Sequence, residues 1–115
     1  MRMFDATVDL IEHMMGGNGD FDDKAIELVN KIADMAEESA IYNGGKVEEG
    51  EQAEVKAEIE TWNAKKQFKY MLQLITEAPT RAHMLTSICL LMPMIRAKLV
   101  EEKKIDREAE DTVSA

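Results

Sequence analysis

The sequence predicts an all-α protein, a single-domain bundle of about four helices joined by short loops. Apolar residues recur at helical spacing along most of the chain, and no segment shows the sustained alternation of a strand. A length of 115 residues suffices for one core but not for two. We therefore assign residues 1–104 to the bundle and expect the acidic, aperiodic residues 105–115 to be a disordered tail.

The first helix is predicted from Met3 to Met15. Asp5 is placed to cap its beginning, and Gly16 with Gly17 to end it. Its apolar residues recur at steps of four and three, which predicts a buried stripe. That stripe consists of Phe4, Val8, Ile11 and Met15.

The second helix is predicted to begin inside the stretch "GGNGDFDDK", residues 16–24. Asp22 is the predicted N-cap, and Phe21 and Ile26 stand at the positions of a hydrophobic staple. The helix is expected to end after Tyr42, where an asparagine and two glycines follow. Its buried stripes are predicted to consist of Ala25, Ile26, Leu28, Val29, Ile32, Ala33, Met35, Ala36 and Ala40.

The same stretch invites two functional interpretations, which its spacing does not support. A calcium loop needs a glutamate at its twelfth position, but a loop starting at Asn18 places Val29 there, and one starting at Asp20 places Lys31. A phosphate-binding loop is disfavoured by three aspartates, which repel phosphate. We interpret the stretch as the hinge between two helices.

The third helix is predicted to be the longest, to start in or after the charged connection 46–54 and to end before Pro79. Its apolar positions continue past the tryptophan without interruption: Val55, Ala57, Ile59, Trp62, Ala64, Phe68, Met71 and Ile75. Thr80 is the predicted N-cap of the fourth helix, in which residues 84–95 are apolar nearly all round, as in a helix surrounded by protein. Pro93 is expected to kink or break this last helix.

Cysteine content and the N-terminus indicate a cytoplasmic protein. Cys89 has no partner for an intramolecular disulfide and no basic neighbour in sequence, so we expect a small buried side chain. Asp5, Asp9 and Glu12 do not fit a signal peptide. The longest apolar stretch, about a dozen residues, is too short to span a bilayer, and we predict no membrane association.

Charge is divided along the chain, whose net charge is −9. Residues 1–62 carry 5 basic and 16 acidic side chains, whereas residues 63–104 carry 8 basic and 3 acidic ones. Direct nucleic-acid binding is therefore not expected, because no overall positive field supports it.

The basic segment contains the candidate binding site. Trp62, Lys66 and Lys69 lie at helical spacing, with Lys65 beside them. Ammonium groups next to an aromatic ring can hold an anionic ligand or an acidic partner. The alternative is a tryptophan at the edge of the core with its lysines in water.

The stretches "AEESA" and "EIETWNAKK" give a second, metal-binding hypothesis. They resemble part of the MazG-type all-α nucleotide pyrophosphohydrolases, whose magnesium-binding carboxylates come from two helices. The resemblance implies that Glu37, Glu38 and Glu60 are metal ligands. The chain departs from the pattern at Ile41 and Asn63, which stand where two further carboxylates are expected.

Outside that resemblance no residue qualifies as catalytic, and no cofactor is expected. The leading hypothesis is an acidic, non-enzymatic, regulatory interaction protein: an adaptor, inhibitor or assembly factor. It would present helix faces to a protein partner, or to itself as a homodimer or higher homo-oligomer. The alternatives are the magnesium-dependent pyrophosphohydrolase, an acidic nucleic-acid mimic and a binder of small anionic ligands.

Overall fold

Five α-helices account for most of the residues that the computed structural model describes, 2–39 and 51–102. They are α1 (Met3–Gly16), α2 (Asp23–Glu38), α3 (Glu51–Glu60), α4 (Ala64–Glu77) and α5 (Arg81–Glu101). No strand occurs in these residues. The all-α prediction is confirmed, with one helix more than the four expected. The prediction that the second helix continues to Tyr42 is wrong, because α2 ends at Glu38 and the backbone of Ser39 is extended. The predicted glycine stop at 43–45 and the predicted tail 105–115 lie outside the described residues.

Two of the predicted helix caps are present in the structure. The Asp22 carboxylate accepts a hydrogen bond from the Ala25 N–H at 2.9 Å and starts α2. The Thr80 hydroxyl accepts one from the His83 N–H at 3.2 Å and starts α5. The Asp5 prediction is wrong, because α1 begins one residue after Arg2 and has no side-chain cap. Asp5 instead lies in the first turn of α1, where the helix dipole favours an acidic residue.

The long third helix of the prediction is two helices, α3 and α4. Asn63 separates them, because its extended backbone breaks the helix and its side chain accepts a hydrogen bond from the Lys66 N–H at 2.8 Å. The corner is fixed from inside by Gln67, a buried polar residue whose Nε2 donates to the Ile59 carbonyl at 2.9 Å. Apolar periodicity ran through this corner and did not reveal it.

The helices pack in the spatial order α1, α2, α5, α4. Helix α2 contributes small residues to the core, including Ala25, Ala33 and Ala36, all fully buried. Small side chains let neighbouring helices approach closely. Arg96 of α5 reinforces this packing, since its guanidinium pairs with Asp34 at 2.5 Å and also with Glu37.

Helix α1 buries a different face from the predicted one. Ala6, Thr7, Leu10 and Met14 are in the core, one position away from the expected stripe. The Thr7 hydroxyl is satisfied there by donating to the Met3 carbonyl at 2.8 Å. The predicted stripe is left largely outside: Val8 is 36% exposed, Met15 is 73% exposed, and Phe4 and Ile11 are only partly buried.

Helix α5 runs from Arg81 to Glu101 without interruption, so Pro93 does not break it into two helices. Its core residues are Ile88, Cys89, Leu91, Met92, Ile95 and Leu99. Within the described residues, α5 is also the helix long and apolar enough to cross a membrane by length and composition, which the count of consecutive apolar residues did not indicate. A core helix of a folded bundle meets the same criterion, and α5 packs against both α2 and α4.

Candidate functional site

A cleft of about 300 Å³ opens between the C-terminal end of α1 and the N-terminal half of α4. These two helices are the ends of the packing order, and they do not form a close helix–helix interface. The floor of the cleft is apolar and is made by Met14, Met15, Phe68 and Leu72. We refer to this feature as the α1–α4 cleft.

The rim of the α1–α4 cleft is polar. It is formed by Asn18 and Gly19 of the α1–α2 connection and by Lys65 and Lys69 of α4. The Lys65 ammonium donates to Asp20 at 2.8 Å, whereas Lys69 forms no ion pair in the part of the chain that the structure describes. An apolar floor beside ammonium groups suits an occupant that carries an apolar group next to an anionic one.

The α1–α2 connection shapes one side of the cleft. Gly19 has a positive φ of 81°, a conformation that residues with a side chain rarely adopt. The Asn18 side chain accepts a hydrogen bond from the Asp20 N–H at 3.1 Å, and Phe21 packs edge-to-face on Phe68 with ring centroids 5.9 Å apart. This stretch is the predicted connection between helices, and it also joins α4 to the α1–α2 pair.

The predicted patch of Trp62 and three lysines is divided between two sides of α4. Lys65 and Lys69 border the cleft. The Lys66 ammonium instead lies 4.3 Å from the centroid of the Trp62 ring. Trp62 in turn packs edge-to-face against Tyr70, with ring centroids 5.4 Å apart. The Trp62 ring is partly buried and is already in contact with Lys66 and Tyr70. The candidate site therefore keeps Lys65 and Lys69 but not the ring.

The carboxylates of the metal hypothesis are not assembled into one site. Glu37 pairs with Arg96, and Glu60 lies 3.8 Å from Lys56. Glu38 is exposed at the end of α2. No group of three histidine, cysteine or acidic side chains suited to a metal ion occurs within residues 2–39 and 51–102.

Within the described part of the chain, Asp22 and Cys89 have shifted pKa values, and both shifts have structural causes. The pKa of Asp22 is lowered because its carboxylate accepts hydrogen bonds from the Ala25 N–H and from His13, whose Nε2 lies 2.8 Å away. Burial raises the pKa of the Cys89 thiol, whose Sγ lies 3.8 Å from the Met3 sulfur. A raised pKa keeps Cys89 protonated and unreactive at neutral pH, which agrees with the expected buried, structural side chain.

Sequence reasoning identified Lys65 and Lys69 but missed Met14, Met15, Phe68 and Leu72 as the surface beside them. Phe68 and Leu72 follow Lys65 at i+3 and i+7, a spacing that places all three on one face of a helix and could have been recognised in the sequence. The contribution of α1 depends on tertiary packing and left no such signal.

Comparison with protein-family models, with curated proteins and with solved structures found no match to this chain.

Proposed function

We propose that this protein is a non-enzymatic helical interaction protein that binds a protein partner through the α1–α4 cleft. The observation that carries the proposal is Met15, a large apolar side chain that lines the cleft and is 73% exposed. Exposing such a residue beside an open apolar surface has no benefit for the isolated fold, since burial is favourable. A partner that covers Met15 gains that burial.

The chemistry of the cleft specifies the partner. Lys65 and Lys69 at the rim favour a segment in which acidic side chains flank an apolar one. The whole chain is acidic, with a net charge of −9, so an acidic segment is attracted mainly to the basic stretch 63–104, which contains these lysines. Methionines on the floor adapt to side chains of different shape, as in other surfaces that bind several partners.

The size of the cleft also favours a protein partner. A volume of about 300 Å³ lies at the lower end of the range for small-molecule pockets. It accepts one or two anchoring side chains of a peptide or helix, with the remaining contacts made on the outer face of α1. That face offers Val8, one of the exposed large apolar residues.

The proposal is tested by affinity capture with the full chain, tagged at its amino terminus, from cells that produce it. Met15→Asp is the test variant, and Val55→Asp on α3 is the matched control, because Val55 is exposed at 43% and does not line the cleft. Wild type and Val55→Asp should retain the same partner. Met15→Asp should weaken its binding about tenfold or more, as expected for a charge placed on a central apolar contact.

A partner that binds Met15→Asp as tightly as wild type contradicts the assignment of the cleft. Lys65→Glu and Lys69→Glu should also lose the partner if it is acidic. The loss should then increase as the salt concentration is lowered, because screening decreases. The captured species can also be another copy of this chain. In that case, sedimentation of wild type, Met15→Asp and Val55→Asp decides whether the cleft is the self-association surface, because only Met15→Asp should then dissociate.

A small anionic amphiphile is the second candidate ligand, because the same floor and lysines fit an alkyl chain with a carboxylate. Dodecanoate is a suitable probe. Saturable shifts of the Met14 and Met15 methyl signals at micromolar dodecanoate, absent in Lys69→Glu, favour this alternative.

A further inference from the structure

Helix α1 turns a second apolar stripe away from the core. Val8 is 36% exposed and Ile11 is partly buried, and they belong to the stripe with steps of four and three that the core does not use. Such spacing is typical of a helix that packs against another helix. Phe4 of this stripe is covered by the Arg81 guanidinium, 4.7 Å from the centroid of its ring, so Val8 is the exposed apolar residue near the middle of α1.

Acidic side chains surround Val8 on this outer face. Asp5 lies three residues before Val8 and Glu12 four residues after it, so both are its neighbours on the helix surface. These two and Asp9 are exposed, and none of the three forms an ion pair within the described part of the chain. Helix α1 contains no lysine or arginine, and its His13 is hydrogen-bonded to the N-cap of α2. The outer face of α1 is therefore an apolar residue flanked by carboxylates.

The complementary cation lies on the rim of the α1–α4 cleft. Two carboxylates already occupy the beginning of α4: Asp20 pairs with Lys65 at 2.8 Å, and Glu102 Oε2 accepts a hydrogen bond from the Ala64 N–H at 2.8 Å. Lys69, one turn further along α4, forms no ion pair among the described residues. The rim thus offers an ammonium group to a carboxylate from outside the chain.

The outer face of α1 also matches the cleft in length and in position. The segment from Asp5 to Glu12 and the extent of the cleft along α4, from Lys65 to Leu72, each rise roughly 10 Å at about 1.5 Å per residue. Helix α1 is itself one wall of the cleft, so the acidic face and the basic rim belong to neighbouring parts of one molecule. A two-fold axis between two copies then allows each α1 to cover the cleft of the other copy.

We propose that the partner of the α1–α4 cleft is a second copy of this chain, whose α1 places Val8 on the apolar floor and Glu12 opposite Lys69, reciprocally in a two-fold dimer. This proposal rests on the proposed function, because it names the occupant of the same cleft. Each copy covers Met15 and Val8 of the other. The net charge of −9 on each copy opposes association at long range, so the local pairing of carboxylate with ammonium sets the orientation of the two copies.

The apolar part of the interface is tested by sedimentation of the full chain over a range of protein concentrations. Val8→Asp is the test variant, because Val8 does not line the cleft of its own chain. Val55→Asp on α3 is the matched control, since Val55 is also an exposed helical valine. Wild type and Val55→Asp should form the same dimer. Val8→Asp should raise the dissociation constant of the dimer about tenfold or more, while circular dichroism shows an unchanged helix content.

A charge exchange between two chains tests the polar part. Glu12→Lys alone and Lys69→Glu alone should each be monomeric, because each places like charges opposite one another twice in the dimer. An equimolar mixture of the two variants should form a heterodimer, since both contacts then join a carboxylate to an ammonium group. Recovery on mixing is specific for contact between copies, because a substitution in one chain does not repair a structural disturbance in another.

The failures of this proposal and of the proposed function are distinguishable. If wild type stays monomeric while it captures another protein in a manner that depends on Met15, the second copy is the wrong occupant and the cleft remains a binding site. If wild type is a dimer that Val8→Asp and the charge exchange leave unchanged, the interface is wrong. If, in addition, Met15→Asp binds every captured protein as tightly as wild type, both proposals fail. Oligomers that continue to grow with concentration indicate a head-to-tail contact and overturn the two-fold arrangement.

Discussion

The bundle has two contrasting seams, one closed and one open. Helices α2 and α5 pack closely and are joined by the pairing of Arg96 with Asp34 and Glu37. Helices α1 and α4 leave a cleft, which is bridged by the ring contact of Phe21 with Phe68 and by the ion pair of Lys65 with Asp20. In this small bundle one seam is closed by packing and ion pairing, and the other stays open to solvent.

The largest expected difference between the seams lies in the cost of removing apolar atoms. Ile95→Ala, at a fully buried position of α5, should lower the free energy of unfolding by about 2–5 kcal/mol, since it leaves a cavity. Leu72→Ala, in the open cleft, should cost less than about 1.5 kcal/mol, because its site is already in contact with solvent. Urea denaturation of both variants measures the difference. Equal costs contradict the description of the cleft as open.

The N-cap of α4 tests whether the wall of the cleft depends on the corner at Asn63. Asn63→Ala should destabilise the protein by about 1 kcal/mol, because the Lys66 N–H loses its acceptor. Asn63→Asp keeps an acceptor and should retain most of the stability. Thermal unfolding followed by circular dichroism compares the two. If Asn63→Ala matches wild type, the cap is not what divides α3 from α4.

The ion pair of the closed seam should contribute more to stability than the ion pair of the open seam, as the apolar contacts do. The Arg96 side chain is 15% exposed, and Arg96→Met should cost about 1 kcal/mol, partly through lost packing of its stem. Lys65→Met should cost less than about 0.5 kcal/mol, because both partners of its pair are in water. Denaturation at low and high salt checks this, since the smaller effect should also be the more strongly screened one.

The smallest effect is a dependence on pH at the start of α2. The folded pKa of Asp22 lies below its ordinary value of 3.8, so its stabilising contribution is present above that value and is lost as the pH falls through the folded pKa. Asp22→Asn keeps a capping side chain without the charge. The stability difference between wild type and Asp22→Asn should therefore shrink below about pH 3.8. A difference that stays constant down to pH 2 contradicts the contribution of the charge.

Much of the closed seam could be predicted from the sequence, and little of the open one. The Asp22 and Thr80 caps are local hydrogen bonds between neighbours in sequence, and both predictions are confirmed. The apolar pattern of α2 likewise included all six of its buried residues, among them Val29, Ile32 and Ala33.

The errors arise where tertiary packing decides between local alternatives. In helix α1 the helical spacing of Phe4, Val8, Ile11 and Met15 predicted a buried stripe, but the core takes the neighbouring face with Ala6, Leu10 and Met14. The core uses the smaller residues because they allow α2 to approach, a preference set by the neighbouring helix. Asn63 was missed for a related reason, because Trp62, Ala64 and Phe68 continue the apolar pattern across the corner.

The Glu102–Ala64 hydrogen bond also has a practical consequence for fusion proteins. A protein fused directly after Glu102 starts next to Ala64, one residue before Lys65 on the cleft rim, and can therefore obstruct the α1–α4 cleft. An amino-terminal fusion avoids this interference, since α1 carries that end about 20 Å away from Met15. Results obtained with the two kinds of fusion should therefore disagree, and the amino-terminal one reports the native protein.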